Sequence, residues 1–190
     1  MSDSTAAGFL APGPPPNYDA ELEDIFQAFA VGVTGLQGNL VRPKWQITVG
    51  NAPQQNQNWM SYGLALYARQ WDAYVGHDPS GTSTVAGSEE WQCTFSCFGP
   101  NAQLYASILR DGMSIGQNRD IFEAVKMKFI SFAEPVQLPV LLKDTWNRRV
   151  DLTGIFHRWV ERTYAVRTLA SASGSLDNEK YITPLSVPNP

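Results

Sequence analysis

Apolar residues alternate with other residues over most of Thr145–Leu169, and this pattern constrains the fold more than any other feature of the chain. Six apolar residues share one parity: Val150, Leu152, Phe156, Val160, Tyr164 and Val166. Successive side chains of a strand point to opposite faces, so a period of two predicts a strand with one buried face. We therefore predict a long strand or hairpin over residues 145–169.

A second alternating run, Glu89–Phe98, predicts another strand. Its apolar parity contains Trp91, Cys93, Phe95 and Cys97, and its polar parity Gln92, Thr94 and Ser96. Four residues of strand separate the two cysteines by about 13 Å, whereas a disulfide needs Cα atoms within about 7 Å. We therefore expect two buried free thiols, which suits synthesis in a cytoplasm.

The remaining segments predict a mixture of helices and strands. Asp19 is a plausible N-cap for a helix with a regular apolar face, ended by Gly32 and Gly35. Further helices are predicted after Pro100, ending at Asp111-Gly112, and after Asn118 as a cap. Strands are predicted at 40–49, 59–71 and 128–133, and a loop at 76–87. This order predicts an α+β fold with one domain at 19–169, an antiparallel or mixed sheet, and extended arms at 1–18 and 170–190.

Composition restricts the class of protein. The 190-residue chain is 43% hydrophobic and 17% charged, which is typical of a folded domain. Its net charge of -4 argues against general nucleic-acid binding. No apolar run approaches the roughly 20 residues of a membrane helix, and the N-terminus does not resemble a secretory signal. We expect no membrane contact.

No group of residues predicts catalysis. His77 lies beside Asp78 in a predicted loop with no further metal ligands within sequence reach, and His157 is expected to be a solvated or interface histidine. No Gly-X-Ser-X-Gly motif supports a Ser-His-Asp arrangement. The glycine-rich segment 32–38 lacks the Gly-Lys-Ser/Thr ending of a phosphate loop and follows a helix. Adjacent Glu89 and Glu90 would point to opposite faces of a strand. We expect no catalytic residue, cofactor or metal.

Charge is distributed unevenly along the chain. No Lys or Arg precedes Arg42, whereas Asp3, Asp19, Glu21, Glu23 and Asp24 do. Six basic residues lie between 143 and 167: Lys143, Arg148, Arg149, Arg158, Arg162 and Arg167. One interpretation is a solvated face with local ion pairs. Another is contact between the basic strand of one copy and the acidic end of the next, which can close into a ring. Nucleic-acid binding by the arginines is a third.

Several short motifs resemble the phage neck or tail-terminator family of tailed phages, particularly those with contractile tails. They are Gly99-Pro100-Asn101-Ala102, Arg110-Asp111-Gly112, Gln117-Asn118-Arg119 and the arginine-rich segment from Trp146 to Tyr164. Their order and spacing agree with the family over residues 20–170. Gly116 departs from the pattern, because the family has a proline near that turn.

The resemblance implies a non-enzymatic virion protein, made in the host cytoplasm, that forms a usually hexameric ring. Such a ring joins the head-side connector or collar to the tail tube and sheath, ends the tail, and lets DNA pass without specific binding. An acidic lining would suit sliding DNA. We expect subunit contacts from Arg148, Arg149, Arg158 and Arg162 and from Glu21, Glu23 and Asp24, and contacts of the arms with other virion proteins. The alternatives are another tail or baseplate component, or a small hydrolase with a pocket around His77 or His157.

Overall fold

The computed structural model describes residues 8–46, 53–54, 56–69, 74–78, 81–142, 145–166, 172–178 and 181–187. The helices are α1 (Asp19–Thr34), α2 (Ala102–Met113) and α3 (Gly116–Glu123). The strands are β1 (Val41–Pro43), β2 (Trp59–Arg69), β3 (Tyr74–Asp78), β4 (Thr82–Phe98), β5 (Met127–Phe132), β6 (Val136–Gln137), β7 (Val140–Leu142), β8 (Thr145–Asn147), β9 (Arg149–Ala165), β10 (Ala172–Asn178) and β11 (Tyr181–Val187). The predicted α+β class is confirmed.

The main sheet is mixed, with strand order β1-β2-β4-β9-β5. β1 runs parallel to β2, whereas β2 with β4 and β5 with β9 are antiparallel. β3 also pairs with β4, and β6 with β9. β7 and β8 form a hairpin of their own, and so do β10 and β11. The two alternating runs of the sequence are therefore neighbouring strands, β4 and β9, at the centre of the sheet.

The core lies between one face of the sheet and the three helices. α1 buries Leu22, Phe26 and Phe29 against strand residues of a single parity. On β4 these are the predicted Trp91, Cys93, Phe95 and Cys97, and on β9 Val150, Leu152 and Phe156. Val160 of β9 is also buried. Burial of alternate residues confirms the predicted parity of both strands.

The chain groups into two units by its contacts. The larger contains residues 16–73 and 86–161, and the smaller contains residues 1–15, 74–85 and 162–190. The larger unit holds all three helices. The smaller holds β3, the beginning of β4, the end of β9 and the β10–β11 hairpin. The predicted boundaries at 18/19 and 169/170 stay predictions.

Two segments differ from the sequence-based expectation. The loop predicted at 76–87 is a hairpin, since β3 ends at Asp78 and β4 begins at Thr82. In the predicted C-terminal arm, β10 and β11 pair with Asn178 opposite Tyr181. The strand predicted at 40–49 is observed as Val41–Pro43, and its residues 47–49 lie outside the described residues, as do Trp71, Lys143 and Arg167.

The helix ends also differ from the predictions in detail. Tyr18, not Asp19, is the N-cap residue of α1, and it makes no side-chain cap bond. Gly35 ends α1 in the left-handed conformation, as its freedom from a Cβ allows, and donates its N–H to Val31 O (2.9 Å). Asn118 lies inside α3, where its Nδ2 donates to Gly112 O (2.9 Å) in the last turn of α2. It therefore satisfies the end of the preceding helix.

The two cysteines are free and buried, as predicted. Burial raises the pKa of the Cys97 thiol to about 12 and raises the pKa of Cys93 well above its usual value. Both therefore remain protonated at neutral pH and serve as small apolar residues of the core.

Gly112 lies where α2 comes closest to α1. The sequence predicted that Asp111-Gly112 would end α2, but the helix continues through Met113. A Cβ at Gly112 would lie only 2.3 Å from Val33 Cγ1. Since Val33 is stiff at χ1, the approach of the two helices requires glycine at this position.

We expect Gly112→Ala to lower the free energy of unfolding by about 1–2 kcal/mol, because overpacking against Val33 outweighs the gain in helix propensity. Gly32→Ala in α1 is the matched control, since a Cβ there meets nothing within 4 Å. It should raise stability by up to about 1 kcal/mol. Urea unfolding followed by circular dichroism measures both. Equal effects of the two substitutions would contradict the proposed contact.

Candidate subunit interface

The four arginines predicted to form one basic contact do not share a face. Arg149 has odd parity on β9, whereas Arg158 and Arg162 have the even parity that points toward the core along most of the strand. Arg148 precedes the strand and is exposed, with its Nη1 3.5 Å from Pro100 O. Strand alternation therefore separates Arg149 from Arg158 and Arg162, and a role of the four arginines in subunit contacts stays a prediction.

Arg158 is buried inside the larger unit, with 2% of its surface exposed. Its Nε donates to Val125 O (3.2 Å), and its guanidinium lies 5.0 Å from the centre of the Tyr18 ring. A cation over an aromatic face is stabilised by the ring quadrupole. This placement assigns Arg158 to the interior, and we leave it out of the contact set proposed below.

Arg149 forms an ion pair with a residue of its own strand. Its Nη2 lies 2.6 Å from Asp151 Oδ2 and its Nε lies 2.8 Å from Asp151 Oδ1, so the ion pair is bidentate. Burial by itself would raise the pKa of Asp151. Hydrogen bonds from Arg149 and Ser96, with the charges of Arg149 and Lys44, outweigh it and hold the pKa below its ordinary value. The solvated-face interpretation with local pairs fits this arginine.

The acidic residues lie together at the beginning of α1. Glu21 and Asp24 are exposed and Glu23 is half-buried. Partial burial, and then the charges of Asp19 and Asp24, raise the pKa of Glu23. Carboxylates near a helix N-terminus are favoured by its dipole, but their mutual repulsion favours an added cation. We call Glu21, Glu23 and Asp24 the acidic patch.

The second face of the sheet carries a group of contacts that the sequence analysis did not identify. Trp59 of β2 stacks on Phe98 of β4 with ring centres 4.1 Å apart, and the Arg149 guanidinium lies 5.7 Å from the Phe98 ring. Thr94 and Thr153 are joined across β4 and β9 by a hydrogen bond of 3.1 Å. The signal was available, because these side chains occupy the parity opposite to the core residues.

The β7–β8 hairpin displays apolar side chains to solvent. Leu141 and Trp146 are directly opposite each other in the hairpin, and 53% and 70% of their respective surfaces are exposed. Leu138, just before β7, is also exposed. A contiguous exposed apolar group is typical of a surface that binds another protein. We call Leu138, Leu141 and Trp146 the apolar hairpin surface.

The Gly99-Pro100-Asn101-Ala102 motif of the sequence lies at the base of this hairpin. Gly99 has φ +104°, and a Cβ there would lie 2.6 Å from Gln57 O, so the position requires glycine. Gly99 N donates to Arg148 O (3.2 Å), and Asn101 N donates to Asn58 Oδ1 (2.9 Å). The Gly99-Pro100-Asn101-Ala102 motif therefore joins β4, the start of α2 and the residue after β8.

The histidines do not assemble a hydrolytic site among the described residues. His77 is hydrogen-bonded through Nδ1 to Ser83 across the β3–β4 hairpin, and His157 Nε2 lies 2.9 Å from Glu90 Oε2. A serine hydrolase needs a third group to orient its histidine and an oxyanion site. Three surface cavities have volumes of about 220, 350 and 530 Å³, and neither histidine is among their lining residues.

The described residues contain no group of three or more His, Cys, Asp or Glu side chains arranged to hold a metal ion. Among the helices in the described ranges, none combines the length and apolar character needed to cross a bilayer.

Comparison with known families places the chain. The model of the phage neck terminator protein family matches residues 20–180. The chain belongs to the phage neck terminator family. No curated protein matches it. The resemblance carried by the residue 99–102, 110–112, 117–119 and 146–164 motifs is thereby confirmed.

Membership gives the exposed surfaces a context. A neck terminator is a structural protein of the virion, located at the neck, and it interacts with other neck or tail proteins. Exposed apolar and acidic surfaces are expected of a protein whose role is assembly.

We expect Asp151→Asn in this neck terminator to lower the free energy of unfolding at pH 7 by about 1 kcal/mol, because it breaks the ion pair with Arg149. Since the folded pKa of Asp151 is depressed, its contribution is present above the unfolded pKa of about 3.9 and is lost as pH falls through the folded pKa. The difference between wild type and variant should therefore shrink on acidification from pH 5. Denaturant unfolding at several pH values measures it, and a pH-independent difference would contradict the assignment.

Proposed function

We propose that identical copies of this neck terminator protein form a closed, hexameric ring between the head-side connector or collar and the tail tube and sheath of a contractile-tailed phage. The ring ends the tail and continues the channel through which DNA passes without specific binding. The role is geometric, and no residue acts catalytically. The family match over residues 20–180 is the observation that carries this proposal.

The apolar hairpin surface supports an assembly role. Folded monomers rarely leave a large aromatic side chain such as Trp146 mostly exposed beside a second exposed apolar residue unless a partner covers it. Two paired strands hold these side chains in a fixed arrangement, so little ordering entropy is lost on contact. We propose that this surface packs against the adjacent copy in the ring.

Charge supports a specific orientation of that contact. Arg148 follows β8 directly and is exposed, whereas the acidic patch lies on α1. Two different surfaces of identical molecules give a head-to-tail contact, and such contacts close into a ring when the rotation allows. We propose that Arg148 of one copy meets the acidic patch of the next, with Arg162 as a second basic contact, and that the pairing sets the register.

Electron microscopy of the purified protein, with its mass from light scattering, tests the ring directly. We expect closed rings from the wild-type protein and smaller species from Trp146→Ser, with unchanged thermal stability because the side chain is mostly exposed. Trp45→Ser is the matched control, since Trp45 is 77% exposed and lies outside the hairpin. It should leave rings intact. A monomeric wild-type protein that is also missing from purified virions would refute the proposed function.

A charge exchange tests the orientation. Arg148→Glu should weaken ring formation at least tenfold in concentration, because a carboxylate would then face the acidic patch. Combining it with Glu21→Lys, Glu23→Lys and Asp24→Lys should restore assembly, and raised salt should weaken both pairings. Arg119→Glu, an exposed change on α3, is the control for altered net charge. Unimpaired assembly of Arg148→Glu would show that the arginine does not lie in the contact.

A further inference from the structure

Residues 11–13 lie along the edge of β9 in the smaller unit. Gly13 N donates to Thr163 O (2.8 Å), and Pro12 forms an antiparallel bridge with Tyr164. A Cβ at Gly13 would lie 2.9 Å from Thr163 Oγ1, so the segment approaches the strand closely. The N-terminal segment therefore extends the sheet at this edge by a short strand-like contact.

The described contacts of this segment are few. Phe9 is fully exposed and Leu10 is exposed as well. A cavity of about 530 Å³ remains beside the contact, lined by Ala11, Tyr164 and their neighbours. The hydrogen bond joins backbone groups, so the same segment from any copy of the chain could make it. Burial of Phe9 would add a gain that its own unit does not supply.

A proline-rich segment follows Gly13 directly. Pro14, Pro15 and Pro16 favour extended backbone and disfavour helix. Beyond them, Tyr18 is fixed in the larger unit, where its hydroxyl donates to Glu89 Oε1 (2.5 Å) and its ring packs 6.0 Å from that of Trp91. Residues 14–17 thus link Gly13 of the smaller unit to Tyr18 of the larger unit along the chain.

We infer that in the assembled ring residues 8–13 of one copy pair with the β9 edge of the adjacent copy, in place of that copy's own segment. This inference rests on the proposed ring. Exchange of an identical segment keeps every bond of the unexchanged form and therefore costs little. It adds the contact of Phe9 with a neighbour, and in a ring each arm would hold the next subunit.

Disulfide cross-linking between two different variants tests the exchange. Gly13→Cys and Thr163→Cys are co-expressed as separate chains with different tags, so a bond between these positions can form only between copies. The close approach of positions 13 and 163 suits a disulfide. The native Cys93 and Cys97 are buried and should not compete. The control for random encounters uses Gly38→Cys in place of Gly13→Cys. A Cβ at position 38 would have no heavy atom within 4 Å.

We expect the covalent pair between the tagged chains to exceed the Gly38→Cys control at least fivefold after mild oxidation, in material whose mass shows oligomers. No excess over that control would overturn the exchange. If the mass then remains oligomeric and the double variant Gly13→Cys/Thr163→Cys forms an internal bond, the segment stays on its own chain and the ring survives. If the mass is monomeric, the proposed ring fails together with the exchange.

Discussion

The packing of Phe26 holds the larger unit together. Its side chain is fully buried. The distance between ring centres is 4.9 Å to Phe156 on β9, 5.1 Å to Phe122 on α3 and 6.4 Å to Phe95 on β4. One side chain of α1 thereby contacts both central strands and a second helix. Tilted and edge-on aromatic pairs of this kind add about 0.5–1.5 kcal/mol each beyond the burial of area. Because this contact fixes which face of the sheet the helices cover, it also decides which face is left to display polar and aromatic groups.

Sequence reasoning succeeded where burial alone determines the structure. α1, β4 and β9 each present a regular apolar period. The apolar residues predicted to face inward on β4 are buried, and so are those of β9 as far as Val160. It failed for the β3–β4 hairpin, because the Gly, Ser and Thr residues around Gly81 resemble a loop in composition. There β3 and β4 pair with each other across a short turn, and Ser83 is bonded across the hairpin to His77. It also predicted that Asp111-Gly112 would end α2, whereas the helix continues through Met113. The glycine is explained by its contact with Val33 of α1, which lies far away in the sequence.

Which face a candidate interface residue occupies depends on its parity along the strand. The arginines were grouped by their proximity in sequence, although a strand sends adjacent residues to opposite faces. Applying the parity that identified Phe156 as a core residue would have placed Arg158 inside as well. The apolar hairpin surface was harder to foresee. Leu138, Leu141 and Trp146 have the composition of a core, and only the pairing of β7 with β8, away from the main sheet, shows that they face solvent.

Buried polar groups around Tyr18 fix the beginning of α1 in the larger unit. Glu89 is almost fully buried, and it accepts hydrogen bonds from Tyr18 and from Trp91 Nε1 (3.2 Å). The Arg158 guanidinium lies 5.0 Å from the centre of the same tyrosine ring. Such bonds have directions, whereas apolar packing does not, so they fix the point at which the chain enters α1 more sharply than an apolar contact would. The described bonds of residues 11–13, by contrast, join backbone groups within the smaller unit. In the exchange that we infer, residues 8–13 would therefore change only backbone partners, and the buried bonds of Tyr18 would stay as they are.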